Sequence, residues 1–192
     1  MKISIYRYID HVLLEFGGRN RGKPTESIDI DCYMDSISGF ESLALPRAKV
    51  MAYQKEFILW EKLTALHQFS TQEKEPPPNR LARHWYDVDC LLNMNFADPL
   101  NSDEAMQAVI EMKKYRWASP GVDCEAILQG QISLIPEAQR LESITKDHEE
   151  AVSGGMFFTK PGPFEAIAER LNTTQKEIND SIQSTRHFIR RI

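Results

Sequence analysis

From Lys55 to Phe69 the apolar residues Leu59, Leu63, Leu66 and Phe69 recur at helical spacing, which predicts an amphipathic helix. Lys62 falls between Leu66 and Phe69 on the helical wheel, inside the apolar arc. An ammonium group there must pair, snorkel or bind something, because burying it without a partner is costly. The loop Gln72 to Pro78 ends in three consecutive prolines, which cannot continue a helix. The next helix is predicted to begin near Asn79, with Leu81, Trp85, Val88 and Leu92 as its buried stripe. Arg83 and Asp87 are i,i+4 neighbours just off that stripe. The spacing predicts an antiparallel helix pair with Lys62 and Asp87 approaching across the seam. Spacing alone reads as a structural ion-pair cluster of Lys62, Asp87 and Arg83; a bound anion is the alternative.

Before Tyr53 the pattern changes. His11 to Phe16, Ser27 to Met34 and Arg47 to Ala52 read as strands separated by glycine- and proline-containing turns. After Asp98 the chain is helical again. Ser102 stands where it can cap a helix opening with Asp103 and Glu104, acids well placed for the helix dipole. Met106, Val109 and Ile110 form its apolar face, and Tyr115, Arg116 and Trp117 near its end read as packing residues. Pro136 suits a helix start, with Leu141 and Ile144 inward. Two prolines and a glycine between Thr159 and Pro163 break the chain. Phe164, Ile167 and Leu171 define a further helix, and Thr173 is expected to cap a last one that carries Ile178 and Ile182. The fold class is therefore α+β: a β portion over residues 1–54 and a mainly helical region over 55–192.

Composition narrows the partners. Hydrophobic residues make up 42% and charged residues 27% of the 192, ordinary for a globular chain. The net charge of −5 supplies no global field for nucleic acid, so any RNA contact must be local. The basic clusters Arg19, Arg21 and Lys23; Lys113, Lys114 and Arg116; and Arg186, Arg190 and Arg191 read first as solvated faces or helix ends. Cys32, Cys90 and Cys124 lack metal-ligand spacing and leave one thiol unpaired in any disulfide scheme, which points to reduced thiols in a cytoplasm. No apolar run is long enough to span a membrane and no signal peptide is visible. His67 and His84 lie near Lys62 and Asp87 in sequence, but no histidine pair has zinc-binding spacing, so both read as packed or hydrogen-bonded side chains.

Glu61-Lys62 with Leu66-His67, and Arg83-His84-Trp85-Tyr86-Asp87-Val88 with Leu91, resemble the E-K-x-x-x-L-H and R-H-Y-Y-D-L-x-x-L helices of the AbiEii/AbiGii nucleotidyltransferase toxins of type IV toxin–antitoxin and abortive-infection systems. Val12-Leu13-Leu14-Glu15-Phe16-Gly17-Gly18-Arg19 resembles that family's L-E-F-G-x-R strand. Asp147, Met156-Phe157-Phe158, Pro163-Phe164-Glu165 and Glu177-Ile178-Asn179 resemble its closing segment, so the likeness runs from about residue 12 to 180. It implies a nucleotidyltransferase-like β core with a helical bundle after it. By position it gives Lys62, Asp87 and Glu15 catalytic roles, and Lys62, Arg83 and His84 nucleotide contacts. It implies metal-dependent transfer of a nucleotide from an NTP to an acceptor, with tRNA one candidate.

Two features depart from that pattern. Such enzymes place a Gly-Gly or Gly-Ser turn and an Asp-x-Asp strand well upstream of the Glu15-like strand, and only eleven residues precede Val12. The resemblance thus implies a chain lacking the N-terminal metal-binding half: a split gene, a truncated reading frame or a proteolysed product. The run from Phe16 to Asp31 also imitates a minimal signature, G-[GS]-R-x-R-G…S-D-I-D. Asp29 and Asp31, two apart on a strand, share a face and could hold Mg²⁺; the competing reading is an edge strand with outward charges. Three functions follow: a nucleotidyltransferase incomplete as this chain, a non-catalytic helical module for an antitoxin or complementary N-terminal fragment, and a minimal transferase built on Asp29 and Asp31. Oligomeric state is not legible.

Overall fold

The computed structural model describes residues 24–40, 42–74, 76, 81–116, 122–157 and 159–189. Glu15, the strand expected over His11 to Phe16 and the basic cluster Arg19, Arg21 and Lys23 lie outside them. Strands β1 (Thr25–Ile30) and β2 (Ala48–Tyr53) pair antiparallel, Thr25 opposite Tyr53 and Ile30 opposite Ala48. The strand expected from Ser27 ran on to Met34. The chain instead leaves the ladder after Ile30 and enters a 3-10 turn at Tyr33–Ser36. The hairpin joins the helices through Tyr53, whose ring stacks on Phe57 at 4.7 Å.

Helix α1 (Lys55–Thr71) runs through the middle of the helical region. Phe57, Leu59, Trp60, Leu63 and Leu66 are all buried, as are Thr64, His67 and Ser70. Burial on more than one side is what a helix meets when neighbours surround it. Helices α2 (Arg83–Asn93), α3 (Asp103–Arg116), α4 (Ala138–Ser153) and α5 (Phe164–Ile189) supply the rest of the bundle. Lys62 contacts Asp87 while Phe69 contacts His84 and Trp85, so α1 and α2 run antiparallel, as their spacing predicted. Helix α2 opens at Arg83, later than the expected start near Asn79, a residue outside those described.

Several polar side chains do work that local patterning did not show. Ser102 precedes α3 as expected, but its hydroxyl donates to the Asp98 carbonyl and accepts from Trp60 Nε1 at 2.8 Å. It thus satisfies a buried indole N–H, which would otherwise remain desolvated and unpaired. Tyr115 is 69% exposed, so the packing role expected for it is not realised. Helix α5 is one continuous helix rather than two. It contains neither glycine nor proline, and Thr173, expected as a cap, sits inside it with its hydroxyl bonded to the Glu169 carbonyl at 3.1 Å. A threonine that bonds back to the i−4 carbonyl stays within a helix and does not begin one.

Helix α5 also holds the extended stretch 130–135 through a row of amide side chains at i, i+4 and i+8. Gln175 Oε1 accepts from Leu134 N, Asn179 bonds both the N–H and C=O of Ile132, and Gln183 donates to Gly130 O. Gly130 has φ 71°, and a Cβ there would lie 2.7 Å from the Asn179 carbonyl oxygen, so only glycine fits.

His67 ties three segments together. Its Nδ1 accepts from Ser133 N at 3.0 Å, which leaves Nε2 to donate to the Asp123 carbonyl at 3.2 Å. Burial lowers its pKa below 6.5, with the hydrogen bonds opposing in part. The unfolded chain therefore takes up a proton before the folded one. Stability from this group is complete above 6.5 and declines as pH falls from there through the lowered folded value. His84, also lowered, adds in the same direction. We expect the melting temperature to drop between pH about 7.5 and about 5, and His67→Gln to flatten that slope in a thermal-melt series. An unchanged slope in the variant would contradict the assignment.

Candidate functional site

Lys62 and Asp87 meet where α1 and α2 face a cleft of ≈ 600 Å³ lined by Lys62, Arg83, His84, Tyr86, Asp87, Met156 and Phe157. Lys62 Nζ donates to Asp87 Oδ2 at 2.9 Å, with side-chain exposures of 37% and 42%. Such a half-exposed pair stabilises a fold by about 0.2–1 kcal/mol, too little to be the tie between helices. A stronger pair does that: Arg170 of α5 grips Asp89 with two bonds of 2.7 Å, and the Asp89 side chain is only 9% exposed. Asp89 faces inward and Asp87 faces the cleft, as residues two apart on a helix do. Arg83 has no ion-pair partner among the described residues, so the three-membered cluster read from spacing reduces to one pair and one cation on the cleft wall.

The start of α2 is held by Asp147 of α4. Its carboxylate, in a residue 8% exposed, accepts from Ala82 N at 2.7 Å. A buried carboxylate at a helix N-terminus satisfies an otherwise unpaired amide and suits the dipole. It fixes the turn from which Arg83 and His84 project. His84 packs against Phe69 with ring centroids 5.2 Å apart. Burial holds its pKa below 6.5, the neighbouring Arg83 and Lys62 charges push further down, and Asp87 opposes them. It is neutral at neutral pH, leaving Lys62 and Arg83 as the positive charges of the cleft.

The cleft lining also includes the aromatic rings of Tyr86 and Phe157. Tyr86 and Phe157 pack with centroids 4.3 Å apart, and the Tyr86 hydroxyl donates to the Thr159 carbonyl at 3.2 Å. Its pKa is pushed up to about 12, chiefly by hydrogen bonding with Cys90 and then by burial. Tyr86 therefore stays protonated, a fixed ring rather than a base. The sequence reading named neither Tyr86, Met156 nor Phe157 as site residues. The available signal was that all three lie in family-like segments, Tyr86 in the run from Arg83 to Val88 and Met156 and Phe157 in the closing segment.

Asp29 and Asp31 are placed on the hairpin, where Lys49 approaches Asp29 at 3.6 Å and Arg47 approaches Asp31 at 3.3 Å; both acids are largely exposed. Neither lines the cleft. Among the described residues no group of three or more His, Cys, Asp or Glu side chains is arranged to hold a metal ion. Both aspartates already face cations, Arg47 and Lys49, away from the cleft lined by Lys62 and Arg83, so among the described residues they do not fit a Mg²⁺ ion that would also sit on phosphates in that cleft. Glu15 lies outside the described residues. Cys32, Cys90 and Cys124 are free thiols. No helix among the described residues is long and apolar enough to cross a membrane.

The sequence model of the family described as "Nucleotidyl transferase AbiEii toxin, Type IV TA system" matches residues 4–170. No curated protein and no solved structure matches the chain.

Proposed function

The chain belongs to the AbiEii nucleotidyl transferase toxin family of type IV toxin–antitoxin systems, and from that premise we propose that the α1–α2 cleft binds the triphosphate of an NTP whose nucleotidyl group passes to an acceptor, a tRNA end being the acceptor class to test first. The observation that carries this reading is the half-exposed Lys62–Asp87 pair beside Arg83, which has no ion-pair partner among the described residues. Two cations in an open cleft, bonded too weakly to be there for stability, suit a polyanion. In this reading Asp87 holds the Lys62 ammonium extended toward the cleft, and Lys62 and Arg83 stabilise negative charge on the phosphates as the leaving group departs. His84, uncharged, contributes a hydrogen bond. The family premise implies an antitoxin partner. It also makes Mg²⁺ dependence an expectation, for which the described residues supply no ligand set; no step is assigned to Glu15, Asp29 or Asp31. We propose the same division of labour along the chain, residues 1–54 as nucleotidyltransferase-like β region and 55–192 as the helical region carrying the phosphate site.

The test is transfer of label from each α-labelled NTP to tRNA, with and without Mg²⁺, alongside thermal melts with NTP. We expect label in the RNA and a raised melting temperature. Neither label nor shift at high NTP would sink the reading and favour a helical binding module for a partner protein or antitoxin.

A further inference from the structure

The cleft is divided by chemistry. Lys62 and Arg83 are charged; Phe157 and Tyr86 are flat and apolar. A simple inorganic anion uses only the first part. The aromatic part is also built with unusual support. Phe157 is half-buried, with the Tyr86 ring at 4.3 Å and the His148 ring at 5.6 Å, both tilted to it. Both supports are themselves anchored. The Tyr86 hydroxyl is bonded to Thr159 O, and His148 Nε2 donates to Gly162 O at 3.0 Å while its ring packs on Phe164 at 5.5 Å. A ring so held loses little conformational freedom when a ligand stacks on it.

We propose that Phe157 is the platform on which the nucleobase stacks while the phosphates lie at Lys62 and Arg83. The inference rests on the nucleotide reading of the cleft and adds how the ligand is oriented and what part of it is selected. Stacking recognises a π-face rather than a pattern of base-edge groups, so it tolerates every base and favours larger purines. Removing a stacking ring is expected to weaken nucleotide binding about 10- to 100-fold. A ligand without a base loses nothing.

The experiment compares two probes, GTP and inorganic tripolyphosphate, by calorimetric titration against wild type, Phe157→Leu, Phe157→Trp and Lys62→Ala. We expect Phe157→Leu to weaken GTP by about one to two orders of magnitude, leave tripolyphosphate unchanged, and affect UTP less than GTP. Phe157→Trp should retain GTP binding, which separates a stacking role from a merely structural one. Lys62→Ala should weaken both probes. Unchanged GTP affinity in Phe157→Leu, or equal loss of GTP and tripolyphosphate, would overturn the stacking inference while leaving the phosphate site standing. Failure of wild type to bind either probe would overturn both.

Discussion

Lys62→Ala is expected to reduce nucleotidyl transfer by about 10²- to 10³-fold while shifting the melting temperature by no more than about 4 °C. The two halves of that expectation come from one geometry. Lys62 reaches Asp87 at 2.9 Å from a position still 37% exposed, so solvent screens the pair and its loss costs the fold about 1 kcal/mol or less. Asp87, itself 42% exposed, is left hydrated rather than stranded. A charge placed at a phosphate oxygen where negative charge develops matters far more in the transition state than in the resting protein, where solvent screens it. Lys62→Arg keeps the charge but presents a planar fork in place of a point charge, so partial activity is expected. Initial rates of label transfer, with melts of the same samples, check this. Full activity in Lys62→Ala, or a collapse of its melting temperature, would assign Lys62 to the structure instead.

Trp85→Ala should have the opposite profile. Trp85 is completely buried, its ring lies 6.2 Å from Phe69 and 6.3 Å from Phe164, and its Nε1 donates to Leu134 O at 2.8 Å. Truncation leaves a cavity where α1, α2 and α5 meet and an unpaired carbonyl on the 130–135 stretch. The expected loss is about 3–5 kcal/mol, a large part of a typical domain's stability. Trp85→Phe keeps most of the packing and should lose about 1–2 kcal/mol for the missing hydrogen bond. Denaturant unfolding measures both; a loss under about 1 kcal/mol for Trp85→Ala would contradict the packing account. Within the run Arg83-His84-Trp85-Tyr86-Asp87, the cleft side and the core side thus separate at single-residue resolution.

The segments that proved legible were those whose meaning is local. The stripe through Leu59, Leu63 and Leu66 is buried as its period implied. The approach of Lys62 to Asp87 also followed, because two neighbouring helices leave few ways to bring their stripes together. The two strands preceding α1 appeared, displaced by a few residues. Less legible were residues whose partners lie far away in the chain. Ser102 looked like a helix cap and satisfies Trp60, 42 positions away. His67 read as a packed or hydrogen-bonded side chain and is one, but its partners, Asp123 and Ser133, lie 56 and 66 positions away and were not legible. Thr173 looked like a start signal, but the packing of α5 carries the helix straight through it.

By itself the chain's sequence determined the α+β order of elements, the helix faces that must be buried and the family to which the chain belongs. Those depend on period, turn chemistry and motif, all carried by neighbouring residues. The tertiary structure alone decided which charges line the cleft. It paired Asp89 with Arg170, gave the α2 terminus to Asp147, set Asp29 and Asp31 against Lys49 and Arg47, and left Lys62 and Arg83 at a cleft walled by Phe157. Periodicity tells which side of a helix avoids water. Which side chain meets it there depends on contacts that close only when the chain folds.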